Sequence, residues 1–152
     1  MIRISSVENI DSKEKIVRSI LKDLPEYFGI EENIKDYTDN AKGYPLWVAF
    51  DGALAVGFIS LKKTSEFTAE IYCMGIKEEY HGKNIGTKLY QAFNAYTKSK
   101  YLYEQVKTVA FGRYDNYDKT VRFYKKMGFK ELEVFPYLWD AHNPCLIMIK
   151  NV

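Results

Sequence analysis

The residues with the clearest chemical meaning lie between Ala69 and Leu89. Ala69-Glu70-Ile71-Tyr72-Cys73-Met74-Gly75-Ile76 reads as a strand, Lys77 to Asn84 as a tight loop, and Ile85-Gly86-Thr87-Lys88-Leu89 as the first turn of an amphipathic helix. A strand, loop and helix in this order aim backbone N–H groups at one point at the positive end of the helix, which makes an anion site. Gly82 and Gly86 carry no side chain to block the approach of a pyrophosphate. Asn84 is the non-glycine type that best tolerates left-handed backbone angles, so it preserves the shape of the loop. Lys83 supplies positive charge beside it; His81, ordinarily neutral near pH 7, supplies less.

Glu70 stands upstream on the strand. Period-two alternation puts Glu70, Tyr72, Met74 and Ile76 on one face and Ala69, Ile71 and Cys73 on the other, so a carboxylate sits on an otherwise apolar or aromatic face. A charge there needs a reason. One is general-base work, in which a partly desolvated carboxylate accepts a proton directly or through water. A carboxylate paired with a nearby Lys, or exposed at a frayed part of the strand, accounts for it equally.

The elements that position these residues alternate between helix and strand. Met1–Ser5 is a short strand; Asp11 or Ser12 caps a helix with Ile16, Ile20, Leu21 and Leu24 at helical spacing, stopped by Pro25. A weakly patterned helix covers 30–40. Leu46–Phe50 and Leu54–Leu61 form a hairpin turning at Asp51-Gly52, and Phe67–Ile76 is the next strand. A helix over 85–100 places Ile85, Leu89, Ala92, Phe93 and Tyr96 on one face; Val106–Phe111 is β-branched and extended. Asn116–Met127 is helical and ends at Gly128, and Phe129–Phe135 and Cys145–Lys150 are closing strands. The pattern predicts one α/β (α+β) domain over 1–152, a mixed sheet with helices in two or three layers.

Composition narrows the function classes. The 152 residues are 47% hydrophobic and 16% aromatic, enough for one core. The net charge of +2 arises from well-mixed charges, so no field points to nucleic acid or a membrane surface. No apolar run approaches the roughly 20 residues of a membrane span, and the start of the chain lacks a leader-like apolar core, so a soluble cytoplasmic protein is expected. Cys73 and Cys145 lie in apolar runs without metal-ligand spacing; they read as buried free thiols, and no metal is expected. Asp140, His142 and Cys145 read as a loop entering a strand and not as a nucleophile triad.

The Glu-bearing strand, His81-Gly82-Lys83-Asn84-Ile85-Gly86 and the later Tyr124-Lys125-Lys126-Met127-Gly128-Phe129 together resemble the GNAT superfamily of acetyl-CoA-dependent N-acetyltransferases, in the right order over about 45–135. The pyrophosphate loop of that family follows the pattern Gln/Arg-x-x-Gly-x-Gly/Ala; His81, Asn84 and Gly86 fall on it, the first two as departures. The resemblance implies a mostly antiparallel mixed sheet flanked by helices, with a splayed pair of central strands. It implies acetyl-CoA as co-substrate, bound by Met74, Gly75 and Ile76 through backbone bonds to the pantetheine arm and by His81, Gly82, Lys83, Asn84, Ile85, Gly86 and Thr87 at the pyrophosphate. Asn116 would contact the CoA arm, although a stricter alignment places Tyr117 there. Glu70 matches the general base of the histone-acetylating branch. Tyr124 matches the tyrosine that protonates the leaving thiolate, a role open to a neutral phenol; its helical spacing with Tyr117 and Val121 equally suits a core position.

The reading is therefore an N-acetyltransferase that moves an acetyl group directly onto a primary amine of a small molecule or peptide, without a covalent enzyme intermediate. An acyl-CoA-binding sensor without turnover is the alternative. By the same resemblance, the acceptor groove draws on Tyr27, Phe28, Tyr37, Trp47, Tyr137 and Trp139, which as aromatics also suit packing. A homodimer is compatible with this reading.

Overall fold

The computed structural model describes residues 1–152. In chain order the elements are β1 (Ile2–Ser6), α1 (Ile10–Lys22), α2 (Glu31–Ala41), β2 (Leu46–Asp51), β3 (Leu54–Lys63), β4 (Thr68–Ile76), a 3₁₀ turn at Glu78–Tyr80, α3 (Ile85–Thr97), β5 (Tyr103–Val109), α4 (Asp115–Lys126), β6 (Lys130–Asp140) and β7 (Asn143–Asn151). The seven strands run in the order β1-β2-β3-β4-β5-β7-β6. β4 and β5 are parallel; β1–β2, β2–β3, β5–β7 and β6–β7 are antiparallel. This is the mixed, mostly antiparallel sheet with helices that the sequence predicts. The chain divides into two compact units, Met1–Lys62 with Tyr72–Tyr96, and Lys63–Ile71 with Thr97–Val152.

In the first unit, α1 begins earlier than Asp11, because the Asn9 side chain accepts the Ser12 N–H at 2.9 Å and so caps the helix. Its apolar stripe, Val17, Ile20 and Leu21, and Leu24 just past its end pack with Ile34 of α2 and with Leu46, Val48 and Phe58. In the hairpin, Asp51 pairs with Leu54, so the connection is Gly52-Ala53; of Asp51 and Gly52, Gly52 alone takes a positive φ. A Cβ on Gly75 would meet Ile20, Leu24 and Phe58 at 3.3 Å, and one on Gly57 would meet Leu89 at 3.3 Å. Bare backbone at these positions lets α1 and α3 press close to the strands.

β4 departs from the alternation read in the sequence. Cys73 belongs to the core formed by α1 and α2, and its neighbour Tyr72 packs against that same core. An unbroken pleat sends consecutive side chains to opposite faces, so the strand is irregular at Tyr72-Cys73 and the predicted face Glu70-Tyr72-Met74-Ile76 does not hold.

In the second unit, the β4–β5 ladder runs from Thr68↔Tyr103 to Ile71↔Val106, although β4 continues to Ile76 and β5 to Val109. The parallel pair is thus joined over its first four positions alone. β5 starts before Val106 because Leu102 and Tyr103 both donate backbone N–H groups to the Phe67 carbonyl, at 2.9 and 3.0 Å. Gly128, at φ +100°, ends α4 while the Phe129 N–H returns to the Tyr124 carbonyl at 3.0 Å. β6 runs past the predicted Phe135 to Asp140; its register with β7 is irregular between Phe135 and Asp140, around Pro136, which has no N–H to donate. Tyr137 and Trp139 accordingly lie on a strand and not in a loop.

Candidate active site

The turn after β4 is held from several directions within the first unit. Lys77 N–H donates to the Val56 carbonyl at 2.8 Å, and Glu78 N–H to the Asp23 carboxylate, just past the end of α1, at 3.0 Å. The Tyr80 hydroxyl donates to Asp51 at 2.7 Å, and the Asp51 carboxylate beside it holds the phenol above its ordinary pKa. Two left-handed residues then reverse the chain, Gly82 at φ +76° and Asn84 at φ +65°. The Asn84 conformation is the one expected from its type. Nothing lies within 4 Å of a Cβ position on Gly82, so the glycine answers to backbone conformation and not to internal packing.

Lys88 N–H bonds the Asn84 carbonyl at 3.3 Å, which starts the ladder of α3 at Asn84. The N–H groups of Ile85, Gly86 and Thr87 therefore have no carbonyl of their own helix to reach, and they open at its positive end. Ile85, with Leu89 and Phe93, anchors the helix in the core, while His81, Gly82, Lys83 and Asn84 are exposed. The arrangement can receive a phosphate-bearing anion. The Nε2 of His81 lies 2.6 Å from the Ile76 carbonyl. A carbonyl can only accept, so Nε2 carries the proton and the ring braces the loop against the end of β4. Lys83 Nζ lies 5.0 Å from the Tyr80 ring centroid, a cation–π distance.

Gly75 also has a packing reason. The space beside its Cα is filled by Ile20, Leu24 and Phe58, so the absent side chain serves helix packing. Met74 and Ile76 on either side are half-buried.

In the second unit Glu70 is 4% exposed. Gln105 Nε2 donates to its Oε1 at 2.8 Å, and Lys107 Nζ lies 3.4 Å from the same oxygen. The parallel register sets Glu70 beside Gln105, and Lys107 follows two residues on along β5, on the same face. These two partners were missed in the sequence, where the available signal was a pair of polar residues at alternate positions of a strand. The sequence reading that allowed a Lys-paired Glu70 thus describes its surroundings. Cys145 lies near both charges: burial pushes its thiol up, Lys107 opposes this and Glu70 adds to it. Burial also pushes the Cys73 thiol well above the ordinary range.

Tyr124 is 5% exposed, packed edge-on to Phe129 with ring centroids 5.7 Å apart. Lys150, which pairs with Glu104 in the β5–β7 ladder, donates to the Met127 carbonyl just past the end of α4 at 2.8 Å. Glu104 and Gln105 point to opposite faces, so α4 ends over the face away from Glu70. Asn116 is half-buried in the first turn of α4.

The expected acceptor aromatics do not form one group. Phe28 and Tyr37 pack edge-on at 5.6 Å, and Tyr37 and Tyr44 each pack on Tyr72, at 5.4 and 5.1 Å. Asn40 donates to the Tyr72 hydroxyl at 2.7 Å. Tyr27 stacks obliquely on Phe28. Trp47 is elsewhere, against Phe93 and Tyr96 of α3, where it is a packing residue. Tyr137 and Trp139 are exposed on β6. No group of three or more His, Cys, Asp or Glu is placed to hold a metal, and no helix is long and apolar enough to cross a membrane.

Residues 42–131, more than half of the chain, match the acetyltransferase (GNAT) domain family. The chain belongs to the GNAT acetyltransferases. No curated protein sequence matches it. Solved GNAT structures share the fold nearly end to end. A GNAT-family protein from Desulfovibrio desulfuricans is similar with a TM-score of 0.82 at 15% identity, over 99% of each chain. The Escherichia coli ribosomal-protein-S18-alanine N-acetyltransferase is similar with a TM-score of 0.79 at 15% identity, over 100% of this chain and 94% of that one. An aminoglycoside 6'-N-acetyltransferase complexed with coenzyme A gives 0.78 at 18% identity, over 98% and 96%. At these identities the likeness of this GNAT chain to each of them is one of fold.

Proposed function

We propose that this GNAT protein transfers the acetyl group of acetyl-CoA directly to a primary amine of a small molecule or peptide. The observation that carries the reading is the turn into α3, where Asn84 at φ +65° leads into three N–H groups that the helix cannot satisfy itself. The donor set fits the diphosphate of a coenzyme A: bare backbone at Gly82 and Gly86, open helix amides at Ile85, Gly86 and Thr87, and Lys83 for charge. That a GNAT relative of the same fold is complexed with coenzyme A supports the choice of cofactor. Backbone groups of Met74, Gly75 and Ile76 would receive the pantetheine arm, and Asn116 would contact it.

Glu70 would accept the proton of the acceptor amine, directly or through water. Gln105 and Lys107 both meet its Oε1. The freed amine attacks the thioester carbonyl, the carbon–sulfur bond breaks, and Tyr124 would protonate the departing thiolate. A second reading, an acyl-CoA sensor without turnover, draws support from the burial of both side chains and from the Lys107 ion pair, which suit a structural carboxylate and a core tyrosine. Release of CoA thiol separates the two. The protein is mixed with acetyl-CoA and, in turn, polyamines, aminoglycosides, amino acids and Lys-containing peptides. Amine-dependent release with formation of the acetylated amine is expected; measurable acetyl-CoA binding with no release for any amine overturns the enzyme in favour of the sensor.

A further inference from the structure

We infer that Gln105 and Lys107 are positioning residues for Glu70, together holding its carboxylate turned so that Oε2 faces the proton to be taken; this rests on the reading of Glu70 as the base. Both contacts fall on one oxygen, Gln105 Nε2 at 2.8 Å and Lys107 Nζ at 3.4 Å from Oε1. Two donors on one oxygen fix the carboxyl plane and leave the other oxygen to different work. The carboxylate has a side-chain exposure of 6%, and Lys107 one of 33%.

The neighbouring strand position provides an internal contrast. Glu104 is fully buried and accepts from Thr97 Oγ1 at 2.5 Å, a bond from the end of α3 to β5. That carboxylate ties a helix to a strand. The Glu70 set ties no helix: Gln105 and Lys107 come from β5, already joined to β4 by the ladder through Ile71↔Val106. Their bonds therefore add orientation of one side chain more than they add connection between elements.

The test measures kcat, the KM for acetyl-CoA and the thermal midpoint of Lys107→Met, Lys107→Arg, Gln105→Leu and Glu70→Gln, with the amine that gives the fastest CoA release. Lys107→Met and Gln105→Leu are each expected to lower kcat about tenfold to a hundredfold, the range for losing a hydrogen bond to a charged group. The KM for acetyl-CoA should stay within about twofold, and Lys107→Arg, which keeps a cation and its donors, should restore most of kcat. Gln105→Leu keeps the question answerable if Lys107→Met fails to fold. A drop in thermal midpoint with unchanged kcat in both variants, while Glu70→Gln is impaired, overturns the positioning role and leaves the base standing. Full kcat in Glu70→Gln overturns the base itself, and the positioning role with it.

Discussion

The turn into α3 and the carboxylate on β4 are built from different materials. The turn works through main chain: two left-handed residues, Gly82 and Asn84, and helix amides with no internal partner. The Glu70 set works through side chains that meet across a parallel ladder, with Gln105 thirty-five residues away in sequence. A main-chain site depends on which residues can adopt a conformation and hardly on their chemistry. A side-chain site depends on identity, charge and the neighbours that aim it. The same GNAT chain should therefore respond in opposite ways to substitution in the two regions.

The largest effect expected is at Glu70. Glu70→Gln keeps the shape and removes the proton acceptor, and should lower kcat on the order of a hundredfold or more with the KM for acetyl-CoA nearly unchanged, as steady-state CoA release would report. A rise in KM alone would place Glu70 in binding. Tyr124→Phe should come next, with kcat lower by about tenfold and little change in thermal midpoint, because the ring and its packing on Phe129 are retained. If the midpoint falls and kcat does not, the tyrosine is a core residue. Asn84→Val forces a β-branched residue into the left-handed region at a cost of about 1–2 kcal/mol, so the acetyl-CoA dissociation constant should rise by up to about thirtyfold, while Asn84→Gly should leave it unchanged or lower it. Calorimetric titration checks both. Equal weakening by Val and Gly would mean that the amide side chain, and not the backbone, is what matters. The smallest effect belongs to Gly75→Ala, whose new methyl must displace Ile20, Leu24 and Phe58; it should destabilise by about 1 kcal/mol in urea unfolding with kcat intact.

The same contrast explains what could be read in the sequence. Glycine and asparagine announce unusual backbone angles by type, so the turn and its Asn84 conformation were legible, as were the helix that follows and the hairpin at Gly52. The mixed sheet was legible through alternation of elements and through the family resemblance; its strand order was not. Glu70 stood out as a charge in an apolar strand. Its partners did not, because Gln105 and Lys107 become neighbours only through the β4–β5 register. His81 was read as a poor source of charge in the loop; its Nε2 bond to the Ile76 carbonyl is a contact no spacing rule encodes. The break at Tyr72-Cys73 was hidden for a related reason: alternation assumes an unbroken pleat, and irregularities in it answer to packing of the Cys73 side chain and the Tyr72 ring against α1 and α2. The packing of Ile20, Leu24 and Phe58 beside Gly75 was hidden as well, because it depends on how α1 lies on the strand. The division of the aromatics, with Trp47 of β2 packed against α3 and Tyr37 of α2 against Tyr72, likewise depends on how the elements pack.

The most direct test of the claim that this GNAT chain holds acetyl-CoA at the start of α3 is amide chemical-shift mapping on isotope-labelled protein titrated with acetyl-CoA. The expected result is that the largest shifts fall on Gly82, Lys83, Asn84, Ile85, Gly86 and Thr87, and that they saturate together. Saturable shifts that leave these amides untouched, or no shifts at all, would contradict it.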